Sequence, residues 1–182
     1  PGENLTCRRD AVGVGSRTVD GIILPSSRFS DDGVPKLAKM KPVIARNRSI
    51  RGVQSVIADT PQGLTAAVER LIELGHHTIT YLGGPESSWQ EGVRWRIVSS
   101  LCSAHGLRLR RVASTAPTFS GGYRCRVGFL KNPTTAVIAY NDIMAIGFIA
   151  ALHAQGIAVP QQVSVVGIDD VQFSSLVSPA LS

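Results

Sequence analysis

The sequence predicts an α/β fold built on doubly wound parallel sheets. From residue 60 onward one unit repeats: a short β-rich run, a polar or glycine-bearing loop, then a helical pattern closed by glycine. Strand starts near Ile79, Leu109, Ala136 and Val163 lie 30, 27 and 27 residues apart, the rhythm of β-α units feeding a parallel sheet. TAVIAY, residues 135–140, is apolar almost throughout and reads as a buried strand.

In chain order, residues 1–59 offer three strand candidates, VDGIILP, PVIAR and SVIAD, while RRDAVGVGSR is only a weak helix because two glycines interrupt it. The break near Asp59 and Thr60 is the expected lobe boundary, giving lobes 1–59 and 60–182. TPQGLTAAVERLIELG, residues 60–75, then predicts a helix with Thr60 as N-cap, Pro61 at the first helical position and Gly75 past the end. Its apolar stripe is Leu64, Val68, Leu71 and Ile72. ITYLGG follows as strand and loop, EGVRWRIVSSLCSAHG as a helix, LRLRRVA as a strand and GGYRCRVGFLKN as a helix. After TAVIAY comes a helix from Asp142 to Gln155, and VSVVGI, residues 163–168, is the last strand.

The composition excludes several classes. Of the 182 residues 43% are hydrophobic and 18% charged, an ordinary balance for a globular protein. The longest apolar run, IMAIGFIAAL, spans 143–152, short of the roughly 20 residues a membrane-spanning helix needs. The N-terminus PGENLTCRRD does not resemble a signal peptide, so a cytoplasmic protein with no membrane partner is expected. Cys7, Cys102 and Cys125 are odd in number and lack C-x-x-C spacing, which favours reduced thiols over a disulfide framework or a metal site. The net charge of +6 and the cluster RLRR at 108–111 raise nucleic acid, but few aromatics interleave with these arginines and no binding motif surrounds them. A solvated face is the plainer reading.

Ligands of open parallel sheets bind outside the carboxyl ends of the strands. Asn141, at the exit of TAVIAY, and Asp169, in VGIDD at the exit of the next strand, should therefore be neighbours at one rim. An amide with donor and acceptor beside a carboxylate suits a polyol. The competing reading is that Asn141 or Asp142 caps its helix and that Asp169 and Asp170 start a turn. GGPESSWQEGVRWR adds Ser88, Trp89 and Arg94 to the rim: arginine can bind adjacent hydroxyls or a carboxylate with two parallel bonds, and an indole can cover an apolar sugar face. A surface arginine and a tryptophan lid on the core are the alternatives. No nucleophile elbow, phosphate loop or zinc-protease helix occurs. His76 and His77 are adjacent with no third ligand nearby, so their imidazoles are expected to meet free carbonyls at a helix end. No cofactor or metal is expected, and no enzyme.

The segments VDGIILPSS, KPVIARNR, GLTAAVERLIELGHHTITYLGGP, PTTAVIAYNDIMAIGFIAALHAQGIAVPQQVSVVGIDD and SPALS, in this order, are similar to the effector-binding core of the LacI/GalR family of bacterial transcription regulators. The NDIMAIG and VSVVGIDD pair is the most specific part. This resemblance implies a periplasmic-binding-protein-like type I fold: two doubly wound lobes with a small effector, a sugar by this likeness, held between them. It places Asn141, Asp169 and Arg94 on effector-contacting positions and Asn47 where an aspartate is usual. Ile97 replaces a common glycine, and Pro117 stands where an aromatic often lines the cleft, with Phe119 two positions later. The family's helix-turn-helix, hinge helix and first strand and helix of the N-terminal lobe are not matched, which implies a fragment with an incomplete N-terminal lobe. Operator DNA would then be reached through a helix-turn-helix outside this chain, in a homodimer. A periplasmic sugar-binding protein of the same fold and a doubly wound enzyme are the rival expectations.

Overall fold

The computed structural model describes residues 19–25, 33–114 and 116–181. The chain divides into two compact units, Pro1–Ala58 and Asp59–Ser182. The weak helix expected in RRDAVGVGSR and the thiol of Cys7 lie outside the described residues.

In the first unit, β1 (Ile22–Pro25), β2 (Val43–Arg46) and β3 (Gln54–Val56) form a parallel sheet in the order β1-β2-β3. The short helix α1 (Gly33–Ala38) contributes Val34 to a core with Leu24, Val43, Ala45 and Ile50. Strand alternation sends Ile23 and Val56 the other way, where they are 69% and 63% exposed. A parallel sheet is ordinarily covered on both faces, and among the described residues of this unit only one face is.

The second unit is a four-stranded parallel sheet in the order β5-β4-β6-β7, from β4 (Thr78–Gly83), β5 (Arg108–Ala113), β6 (Ala136–Ala139) and β7 (Ser164–Val166). The double winding is visible in the side chains. Ile79, Tyr81, Ala136 and Ile138 enter a core with Leu64, Val68 and Leu71 of α2 (Thr60–Glu73) and with Val98 and Cys102 of α3 (Trp89–Ala104). Leu82, Val137 and Ala139 point the other way, onto Phe129 of α5 (Arg126–Leu130) and Phe148 and Leu152 of α6 (Asp142–His153). Buried on both faces, β6 is apolar at every position, whereas β4 also buries the polar Thr80, whose hydroxyl bonds to Thr134 Oγ1 at 2.8 Å.

Three local expectations change. Helix α2 is capped by Asp59 rather than Thr60, and the Asp59 side chain makes no cap bond. Pro61 falls in the first turn and lacks an N–H, which removes one of the donors a capping oxygen can reach. The helix expected in GGYRCRVGFLKN is two, α4 (Phe119–Arg124) and α5. At Cys125 the amide is shared between the carbonyls of Gly121 and Gly122, a local tightening that divides them. The His76 imidazole bonds not to carbonyls but to Thr135 Oγ1 (2.8 Å) and Ser164 Oγ (3.0 Å) at the amino ends of β6 and β7. Burial there, and to a lesser degree the neighbouring His77, lowers its pKa. Cys102 and Cys125 are free and buried, and burial pushes both thiols up to about 11, which keeps them protonated and unreactive.

Helix α4 lies directly on α6. A Cβ on Gly122 would stand 2.0 Å from the Met144 carbonyl oxygen, and one on Gly147 would stand 2.0 Å from that of Phe119. Backbone cannot yield as a flexible side chain can. These two glycines let the helices approach at the same end of the sheet where the polar residues gather.

Candidate functional site

The polar residues cluster where β4, β6 and β7 end. A loop, residues 84–88, leads from β4 into helix α3. Ser88 caps it by accepting from the Glu91 amide, and one turn on Arg94 is carried inward, 5% exposed. Its Nη2 donates to Asp169 Oδ1 at 2.7 Å. Its Nη1 donates to the carbonyl of Tyr140, and the guanidinium carbon lies 4.9 Å from the Tyr140 ring centroid. The Tyr140 hydroxyl in turn is 2.9 Å from Ser88 Oγ, and its ring packs flat against Gly84, where a Cβ would meet ring carbons at 2.6 Å. Ser88, Arg94, Tyr140 and Asp169 thus form one bonded group across three strand ends.

Asn141 follows Tyr140 in the chain, and its side chain caps α6. Its Oδ1 accepts from the Met144 amide at 2.9 Å, while Nδ2 makes only a long 3.4 Å bond to the Pro117 carbonyl. The capping alternative is therefore real, yet it occupies one end of the amide and leaves the other weakly used. Asp169 and Asp170 also turn, at φ 114° and 50°. A non-glycine residue held in that region costs on the order of 1–3 kcal/mol, and such strain concentrates at functional sites. The Asp169 side chain is 43% exposed, so its carboxylate is open to solvent while its arginine partner is not.

The other expected residues are placed less centrally. Trp89 opens α3 beside Ser88 and is half-buried. Phe119 begins α4, 47% exposed, with its ring 6.4 Å from that of Tyr123. Asn47 belongs to the first unit, at the carboxyl end of β2, in a left-handed conformation (φ 57°) that asparagine tolerates well. Its Oδ1 accepts from the Ala58 amide at 3.4 Å.

Two buried carboxylates support the rim; Glu91 was not singled out from sequence, and Asp142 was considered only as a helix cap. Glu91, 2% exposed, accepts from the Tyr81 hydroxyl (2.9 Å), the Gly84 amide (2.7 Å) and Arg111 Nη2 (2.7 Å). It fixes the loop that carries Ser88, and burial followed by its charge raises the Tyr81 pKa. The S-x-x-E spacing of Ser88 and Glu91 is a capping-box signal that could have pointed to it, but only half of that box forms. Asp142 receives the Val171 amide and the Ser174 hydroxyl, both at 2.9 Å, and so pins the segment that follows Asp170. Among the described residues no group of His, Cys, Asp and Glu could hold a metal. No helix there is long and apolar enough to cross a membrane.

An α/β unit with a polar group at the carboxyl ends of its parallel strands is the architecture of a small-molecule-binding domain. A family model described as a periplasmic binding protein-like domain matches residues 68–182. The chain belongs to that family, in the form found in LacI-type transcription regulators, whose effector-binding part it covers. It is 33% identical over 175 residues to the probable HTH-type transcriptional repressor ExuR of Bacillus subtilis, covering 90% of this chain and 51% of that one. It is 35% identical over 171 residues to the HTH-type transcriptional regulator AscG of Escherichia coli, covering 90% and 51%. The crystal structure of the latter matches with a TM-score of 0.78 at 32% identity, over 95% of this chain and 66% of that one. A LacI family regulator from Enterococcus faecium, solved with bound ribose, matches with a TM-score of 0.83 at 26% identity, over 93% and 66%. The chain spans about half the length of the curated relatives it matches.

Proposed function

We propose that the protein carrying this core is a transcription regulator whose affinity for operator DNA is set by a small hydroxylated effector, a sugar. Ser88, Trp89, Arg94, Asn141 and Asp169 contact that effector, with Asn47 and Phe119 completing the set. The regulator works as a cytoplasmic homodimer, binding DNA through a helix-turn-helix outside this chain. Effector binding biases two arrangements of the lobes 1–59 and 60–182, and it acts only through its different affinity for the two. The single observation that carries this reading is the buried Arg94 held on the exposed Asp169 at a strained turn. Such a pair presents a carboxylate, fixed by a guanidinium, to hydroxyl groups.

Asn141→Ser tests whether the amide does more than cap. Serine is as good an N-cap as asparagine, so thermal unfolding should stay within about 0.5 kcal/mol of the parent. Losing the Nδ2 donor should weaken effector binding by roughly tenfold, about one hydrogen bond. Calorimetric titration with neutral pentoses, hexoses and disaccharides is the measurement. Equal affinity in parent and variant would reduce Asn141 to a cap.

A further inference from the structure

Strand β5 is the edge of its sheet, and Arg111 on it lies opposite Tyr81 of β4. Among the described residues no hydrogen bond, ion pair or ring contact joins this arginine to Ser88, Trp89, Arg94, Asn141 or Asp169. Its side chain crosses the end of β4 instead. Nη2 donates to Glu91 Oε1 at 2.7 Å, and the guanidinium carbon lies 5.2 Å from the centroid of the Trp95 ring, itself 5.6 Å from that of Tyr81. At Gly83 a Cβ would stand 3.0 Å from Arg111 Nε and 2.9 Å from Glu91 Oε1, so the pair fills the room this glycine leaves.

The two oxygens of Glu91 divide their tasks. Oε2 accepts from the Tyr81 hydroxyl at 2.9 Å and the Gly84 amide at 2.7 Å, while Oε1 accepts from Arg111 alone. The glutamate side chain is 2% exposed, so without the arginine Oε1 would be stranded away from water. A glutamate's terminal torsion is only loosely restrained, and the carboxylate would turn to share the donors that remain. Gly84 would feel that turn. The Tyr140 ring lies flat on Gly84, and the same residue's ring and carbonyl hold Arg94, which in turn holds Asp169. A binding group is only as well placed as the residues packed behind it.

Resting on the effector-binding role proposed above, we infer that Arg111 is a positioning residue for effector affinity: it aims the Glu91 carboxylate at Gly84 and so holds Tyr140, and with it Arg94, in the geometry that binds. The test is calorimetric titration of the intact protein with whichever neutral pentose, hexose or disaccharide binds the parent best, run well below the lowest unfolding midpoint of the series. Arg111→Met keeps an apolar stem over Trp95 and removes the donor; it should weaken that sugar about tenfold. The bond to Oε1 is single, so Arg111→Lys can replace it and should return affinity to within about twofold of the parent. Because Arg111 acts through Glu91, adding Arg111→Met to Glu91→Gln should weaken binding no further than Glu91→Gln does alone. Unchanged affinity in Arg111→Met, whatever its unfolding midpoint, overturns the inference and reduces the residue to a brace. A loss that lysine does not recover, or losses that add in the double variant, overturns it as well and leaves the effector-binding role standing. Absence of binding by every sugar in the parent overturns both the inference and the role beneath it.

Discussion

Arg94→Ala and Asp169→Ala are each expected to weaken effector binding by about tenfold to a hundredfold. Each substitution removes charge-assisted hydrogen bonds from a group that water reaches from one side only, worth roughly 1.5–3 kcal/mol, and about 1.4 kcal/mol is a factor of ten. The two differ in what they leave behind. Without Asp169 the guanidinium, 6% exposed, keeps only the Tyr140 carbonyl and ring; without Arg94 the carboxylate, 43% exposed, is solvated in place. Arg94→Lys should recover charge but not affinity, because an ammonium cannot reproduce the fork that bonds Asp169 and Tyr140 together. Lys131→Ala, on the exposed residue that ends α5, is the matched control and should change nothing. Titrations of these variants that coincide with the parent would mean that the pair only braces the turn at Asp169.

Glu91→Ala is expected to be the most destabilising single change at the rim. It strands the buried Tyr81 hydroxyl, the Gly84 amide and one guanidinium nitrogen of Arg111, which is itself 30% exposed. Breaking a buried pair by deleting one partner costs about 3–5 kcal/mol, a fall in unfolding midpoint on the order of 10 °C for a unit of this size. Glu91→Gln keeps an acceptor for Tyr81 and Gly84 but turns N–H groups toward Arg111, so roughly half of that loss is expected. Thermal denaturation monitored by circular dichroism distinguishes the series. A midpoint for Glu91→Ala within 2 °C of the parent would contradict the role assigned to this carboxylate.

Most of the second unit's architecture could be read from the residues because two periodicities were clean. The 27- to 30-residue spacing of strand starts set the β-α order, and the apolar run TAVIAY read as a buried strand. The division of one expected helix at Cys125 could not be read, since it depends on how Gly122 and Gly147 bring α4 against α6, a contact between distant segments. At the rim, the rule that ligands meet strand ends pointed to Ser88, Arg94 and Asp169, which the structure joins through Tyr140 and one ion pair, and to Asn141, whose side chain bonds instead to Met144 and Pro117. It was silent on Tyr140, Gln90 and Glu91. A tyrosine after a strand and a glutamine or glutamate in a first turn are usually solvated, and only packing shows these three turned inward. The competing explanation for Asn141 holds for one end of its amide: Oδ1 caps α6, while Nδ2 makes only a long bond to the Pro117 carbonyl.

The most direct test of the account is an operator-binding titration of the intact protein against the effector that the calorimetric panel identifies. The account predicts that operator affinity changes by a factor in the range of about 5–150 as effector is added, in whichever direction the regulator works. It also predicts that the midpoint of that change tracks the effector's own Kd and moves to higher concentration in Arg94→Ala and Asp169→Ala. An effector that saturates the protein while operator affinity stays constant would contradict it.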